Sequence, residues 1–125
     1  MRILAIDYGK KRCGIAITDK ENRIAIPYGI IRTTEIIQKL KEIINQKDVK
    51  KIVIGLPLSL SGKEIEITRD VYQLKEKIEK EFHLEVILFD ERMTSKIFKE
   101  KNNDDLSAMI ILENYLKSSA LSNNS

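Results

Sequence analysis

Acidic residues in this chain stand where apolar runs stop or a helical pattern starts. Ile3-Leu4-Ala5-Ile6 runs into Asp7, Glu85-Val86-Ile87-Leu88-Phe89 runs into Asp90-Glu91, and Asp104-Asp105 precede the apolar spacing of Leu106–Leu116. Cations follow two of these acids: Lys10-Lys11-Arg12 after Asp7, and Arg92 after Glu91. Carboxylates gathered from separated segments are hard oxygen donors, which suit Mg²⁺ or Mn²⁺. The rest of the inventory is thin. One histidine, His83, and one cysteine, Cys13, build no zinc site, Ser-His-Asp triad or Cys-His pair.

Each motif also has an ordinary reading. Asp7-x-Gly9 is what a strand closing into a turn looks like, and Asp104 is a good helix N-cap. Asp90-Glu91-Arg92 and Lys10-Lys11-Arg12 read equally as solvated turns, Cys13 as small core filler, and His83 as a surface residue between a helix and a strand. Only their common placement by the fold can decide.

The elements that must position them follow from periodicity. Three β-like runs come first, at about Arg2–Asp7, Cys13–Asp19 and Arg23–Ile31, separated by short turns, which reads as consecutive antiparallel hairpins. Ile36, Ile37, Leu40, Ile43 and Ile44 then fall at helical spacing behind Thr33 or Thr34, either one a suitable N-cap. Lys51–Gly55 is a compact apolar strand that Leu56-Pro57 ends. Ser61-Gly62-Lys63-Glu64 has capping-box spacing ahead of a helix with Ile67, Val71, Leu74, Ile78 and Phe82 on one face. Glu85–Phe89 is a further strand, a short helical stretch is expected near Ser95–Lys101, and the last helix runs from Asp104 or Asp105 to about Lys117.

The order is βββ-α-β-α-β-α. Right-handed crossovers make the fourth and fifth strands parallel to their neighbour, so the expectation is an α/β fold with a five-stranded mixed sheet flanked by helices. With the first strand central, the C-terminal ends of strands one, four and five share the edge where open α/β sheets bind ligands. Strands one and five then lie two spacings apart, roughly 9–10 Å. Their carboxylates cannot touch, but they can share a pair of cations ~3.5–4 Å apart. On the last helix, Asp104 and Asp105 flank the apolar face one turn before Ala108, so an acid there can turn back toward that edge.

Composition sets the remaining bounds. At 125 residues, 42% hydrophobic and 33% charged, the chain reads as one folded domain over 1–117, with a small polar tail at 118–125 expected to be disordered. No apolar run is long enough for a membrane span, and the opening is a strand pattern and no signal peptide. A single cysteine fits a reducing cytosol, hence a cytoplasmic protein. The net charge of +3 permits a polyanionic partner without demanding one. Whether the chain is a monomer or a dimer is left open.

Four segments resemble, in order, the YqgF family, also called RuvX, of Holliday junction resolvase-like bacterial nucleases. They are ILAIDYGKKRCGIAITD (3–19), IVIGLPLSLSG (52–62), DERMTS (90–95) and DDLSAMIILENYL (104–116). The resemblance implies a ribonuclease H-like fold and a Mg²⁺- or Mn²⁺-dependent nuclease acting on structured nucleic acid, either the 5′ end of precursor 16S ribosomal RNA or branched DNA. Position by position it makes Asp7, Glu91 and Asp104 the catalytic metal ligands, with Asp90 the alternative to Glu91 on its strand. Lys10, Lys11, Arg12 and Arg92 would then contact substrate phosphates. One departure stands out. The stretch MTSKIFKEKNN before Asp104 is shorter than the family's basic segment there, which leaves substrate grip the weakest part of the correspondence.

Two rivals remain on sequence grounds. D-x-G with a basic hairpin also opens the actin, Hsp70 and sugar-kinase ATPases, but these pair two such domains and this chain has length for one. A non-catalytic module that holds nucleic acid or a protein without cutting would suit the shortened basic stretch.

Overall fold

The first strand is apolar on both faces, and both faces are covered. In the computed structural model, β1 (Arg2–Asp7) packs Leu4 and Ile6 into one core and Ala5 into a second, all three fully buried. The structure describes residues 1–56, 62–90 and 104–123, the side chains of 62–65, 90, 104–105 and 120–123 excepted. A strand buried on both sides belongs in the middle of a sheet. There, β1 pairs antiparallel with β2 (Arg12–Thr18) and parallel with β4 (Val49–Leu56). β3 (Ala25–Arg32) adds antiparallel to β2, and β5 (Glu85–Asp90) adds parallel to β4. The sheet order is β3-β2-β1-β4-β5, the mixed arrangement expected.

Among the described residues, three helices close the two faces. α1 (Ile36–Lys47) and α2 (Gly62–Phe82) bury Ile36, Leu40, Ile43, Val71, Leu74 and Ile78 against one side. α3 (Asp104–Asn123) lays Ala108, Ile111 and Leu112 on the other, over Ala5, Ala16 and Val53. The two cores differ in grain. Leucine and isoleucine fill the α1/α2 side, whereas two alanines on neighbouring central strands let α3 lie close to the sheet.

Short polar devices set the connections. Thr18, buried, accepts the Ile3 N–H at 2.9 Å and is hydrogen-bonded to Asn22, whose amide donates to the Met1 carbonyl at 2.8 Å. Asp19 accepts the N–H groups of Arg23 (2.7 Å) and Ile24 (3.1 Å), and these bonds hold its carboxyl below the usual carboxylate range. Asp48 (φ 52°) and His83 (φ 55°) take the left-handed conformation at the ends of α1 and α2, a place glycine usually fills. His83 is thus the exposed surface joint expected, and Cys13 is fully buried core.

Two expectations need correction. Neither Thr33 nor Thr34 caps α1. A single 3-10 turn, Thr33–Glu35, intervenes, α1 carries no side-chain cap bond, and the Thr33 hydroxyl is spent elsewhere. The last helix also continues past Lys117 to Asn123, because residues 118–123 contain no glycine or proline to stop it and include the helix formers Ala120 and Leu121. The helical stretch expected at Ser95–Lys101 lies outside the described residues.

Candidate active site

Alternation along β1 assigns Asp7 its side of the sheet. Leu4 and Ile6 point into the α1/α2 core, Ala5 points under α3, and Asp7 continues the Ala5 series at the strand's C-terminal end. Tyr8, one residue on, packs back against the α1/α2 core, where burial first, and then the Asp70 carboxylate, push its phenol above the ordinary value. The acid therefore emerges on the α3 face, half-buried, from a strand fixed on both flanks.

α3 covers that same face. Just past its middle, the Tyr115 hydroxyl accepts a hydrogen bond from Lys51 Nζ at 3.2 Å, and Lys51 pairs with Ile3 at the start of β1. Leu116 and Lys117 share a cleft with Arg23, Ile24 and Ala25 at that same lower edge. From Tyr115 back to Asp104 the helix rises about 16 Å, and from Ile3 to Asp7 the strand climbs about 13 Å. The two rises match, so α3 has the length to span from the Lys51 level toward the level of Asp7 on the face it covers. The lower anchor is well tied. Lys51 also pairs with Glu85 at 3.4 Å and lies 5.7 Å from the Tyr115 ring centre, and Phe89 meets Tyr115 edge-on at 6.0 Å. The Tyr115 hydroxyl, and then Glu85, hold the Lys51 ammonium above its usual pKa.

Of the expected acids, Asp7 has a described side chain and Asp104 a described backbone position, the first residue of α3. Glu91 and Arg92 lie outside the described residues, and so does the side chain of Asp90, the last residue of β5. Among the described side chains, no three of His, Cys, Asp or Glu cluster as a metal site.

The cation turn is more constrained than its composition suggests. Lys10, Lys11 and Arg12 are all exposed, but Lys10 is paired with Glu66 of α2 at 2.5 Å. That pairing holds the Glu66 carboxyl below its usual pKa. Gly9 is required here by close approach: a Cβ at this position would meet the Arg12 carbonyl oxygen at 2.4 Å. From across the sheet the Thr33 hydroxyl donates to the Gly9 carbonyl at 2.6 Å, and the Thr33 N–H donates to the Lys11 carbonyl at 3.0 Å. The Cys13 thiol lies within hydrogen-bond distance of both the Thr33 hydroxyl, at 3.4 Å, and the Gly9 carbonyl, at 3.9 Å. Sequence reading missed Glu66 and Thr33 as members of this site. Only the tertiary approach of α2 and the end of β3 reveals them.

Comparison with known proteins bears on the family and the fold. The family described as "RuvX: Holliday junction resolvase" matches residues 1–118. A protein of Maridesulfovibrio salexigens named "Putative pre-16S rRNA nuclease" is 39% identical over 132 positions, covering 93% of this chain and 98% of its own. One of the same name from Sulfurihydrogenibium is 37% identical over 136 positions, with 98% and 94% coverage. Among solved structures, T. thermophilus RuvC in complex with Holliday junction substrate superposes with a TM-score of 0.67 at 10% identity, covering 96% of each chain. The fold is ribonuclease H-like, as the resemblance implied. On the strength of a match running from residue 1 to 118, this chain belongs to the RuvX family.

Proposed function

We propose that this protein is a divalent-metal-dependent endonuclease that cuts phosphodiester bonds in structured nucleic acid, with the 5′ end of precursor 16S ribosomal RNA as its target. The names of its relatives support the substrate. What supports the chemistry is that Asp7 leaves β1 on the face that α3 covers, and that α3 is long enough beyond Tyr115 to carry its first turn toward the same edge. Work on ribosomal RNA implies a cytoplasmic protein, and no helix among the described residues is long and apolar enough to cross a membrane.

Asp7, Glu91 and Asp104 would hold Mg²⁺ or Mn²⁺, and an all-carboxylate donor set on separate elements fits those ions. Along β5, Ile87 and Phe89 pack on the α3 side and Val86 and Leu88 on the other, and the family resemblance makes Glu91, just after this strand, the ligand. When bound, the ions supply a water of lowered pKa and charge stabilisation at the scissile phosphate. The chain's own groups bind and orient. Asp7 keeps its place because β1 is clamped by β2 and β4, and Lys11 and Arg12 engage neighbouring phosphates.

Purified protein with Mn²⁺ or Mg²⁺ is expected to cut a precursor 16S transcript or a four-way DNA junction, and EDTA should stop the cutting. Binding in EDTA with no cleavage under either metal would select a non-catalytic module instead. The Lys10–Glu66 pair yields a separate expectation. Glu66→Gln frees Lys10 for phosphate, so junction affinity in a fluorescence titration should rise about two- to threefold and its salt dependence should steepen.

A further inference from the structure

The β2–β3 ladder sets two arginines directly opposite each other. Arg12, the first residue of β2, pairs with Arg32, the last of β3. The next rows are Cys13↔Ile31, both packed on the α1/α2 core, and Gly14↔Ile30. Alternation therefore sends Arg12 and Arg32 to the opposite face, which is the face of Asp7. Since Asp7 pairs with Gly14, Arg12 lies one strand over and two residues farther along, about 8 Å from Asp7 between Cα atoms, and Arg32 about 12 Å.

Both guanidinium groups are exposed, and neither forms an ion pair with a described residue. Like charges directly opposite on a sheet are destabilising. The chain cannot relieve the strain by splaying at this point. The Thr33 bonds to Gly9 and Lys11 pin the backbone immediately beyond the pair, and the buried Cys13↔Ile31 row closes it from below. A fold that forces two cations together at the edge carrying its acid is built to receive an anion between them.

We propose that Arg12 and Arg32 form a phosphate clamp, with Arg32 a substrate-binding residue, that grips the sugar–phosphate backbone of the strand running past Asp7. This rests on the nuclease reading above for the identity of the polyanion. Two planar guanidinium groups match phosphate oxygens bidentately and make no base-edge contact, so the grip is independent of sequence. It also supplies cationic surface in a chain whose basic stretch before Asp104 is short.

The test is a titration of a fluorescein-labelled four-way DNA junction in EDTA, across a range of KCl, with the intact protein, Arg32→Gln, Arg12→Gln and Arg23→Gln. Arg32→Gln should weaken binding about fivefold and make the plot of log affinity against log salt shallower by about one unit. It should also raise the melting temperature by about 1–2 °C, because the opposed charges are gone. Arg12→Gln should behave likewise. Arg23→Gln, two residues before the far end of β3, should leave binding within about twofold of the parent. Parent-like affinity and slope in Arg32→Gln would overturn the clamp, as would binding loss accompanied by a fall in melting temperature, and so would a parent that binds no junction. A parent that binds but cuts nothing with either metal, while Arg32→Gln still loses affinity, leaves the clamp standing and removes the nuclease assignment alone.

Discussion

Asp7→Asn is expected to abolish cleavage and leave the fold intact. The exchange conserves shape and removes one negative charge at the exit of β1, outside both apolar cores. Divalent ions in such sites contribute several kcal/mol to transition-state stabilisation, so loss of a carboxylate that would hold them should cost about three decades or more in single-turnover rate. Circular dichroism and the melting temperature should stay close to the parent, since the strand keeps both of its neighbours. A substituted protein that cuts at the parent rate would show that the acid set has been misassigned. One that unfolds would show Asp7 to be a structural residue of the turn.

The largest effect on stability is expected at Leu112. This side chain is fully buried between α3 and the sheet, in a cluster whose other buried members are Ala5, Ala16, Val53, Ala108 and Ile111. Leucine-to-alanine changes at such sites cost about 2–5 kcal/mol, the transfer of the lost atoms adding to the cavity they leave. Leu40→Ala, fully buried on the α1/α2 side, should cost a similar amount. The two should separate in function. At temperatures where both variants remain folded, Leu112→Ala should need more Mg²⁺ for half-maximal cleavage, because α3 carries Asp104, and Leu40→Ala should not. Equal metal dependence would mean that the seating of α3 does not set the acid geometry.

Much of this arrangement was legible in the residues. Element order and strand direction followed from period changes and crossover connections, which depend on local pattern alone, whereas the central place of β1 was assumed and only its pairing with both β2 and β4 establishes it. Asp7 was legible because an apolar run that ends in a carboxylate is conspicuous. Thr33 was not. A threonine ahead of a helical pattern reads as a cap, and its actual partner, the Gly9 carbonyl, lies across the sheet. The engagement of Lys10 by Glu66 was hidden for the same reason, since it depends on how α2 docks. Arg32 was overlooked because its meaning lies in register: only pairing shows that it faces Arg12. The end of α3 was read short because a serine-rich segment was equated with fraying, although nothing in it breaks a helix.

The alanines beneath α3 act as shims. Ala5 and Ala16 fix how closely the last helix beds down on the sheet, and with it the gap between an acid carried by a strand and one carried by that helix. On the proposed metal site, a relative that keeps every acid but carries a bulkier side chain at either place is expected to lose its chemistry, because the gap would widen. Judging such a relative by its acids alone would credit it with an activity that its spacing no longer permits.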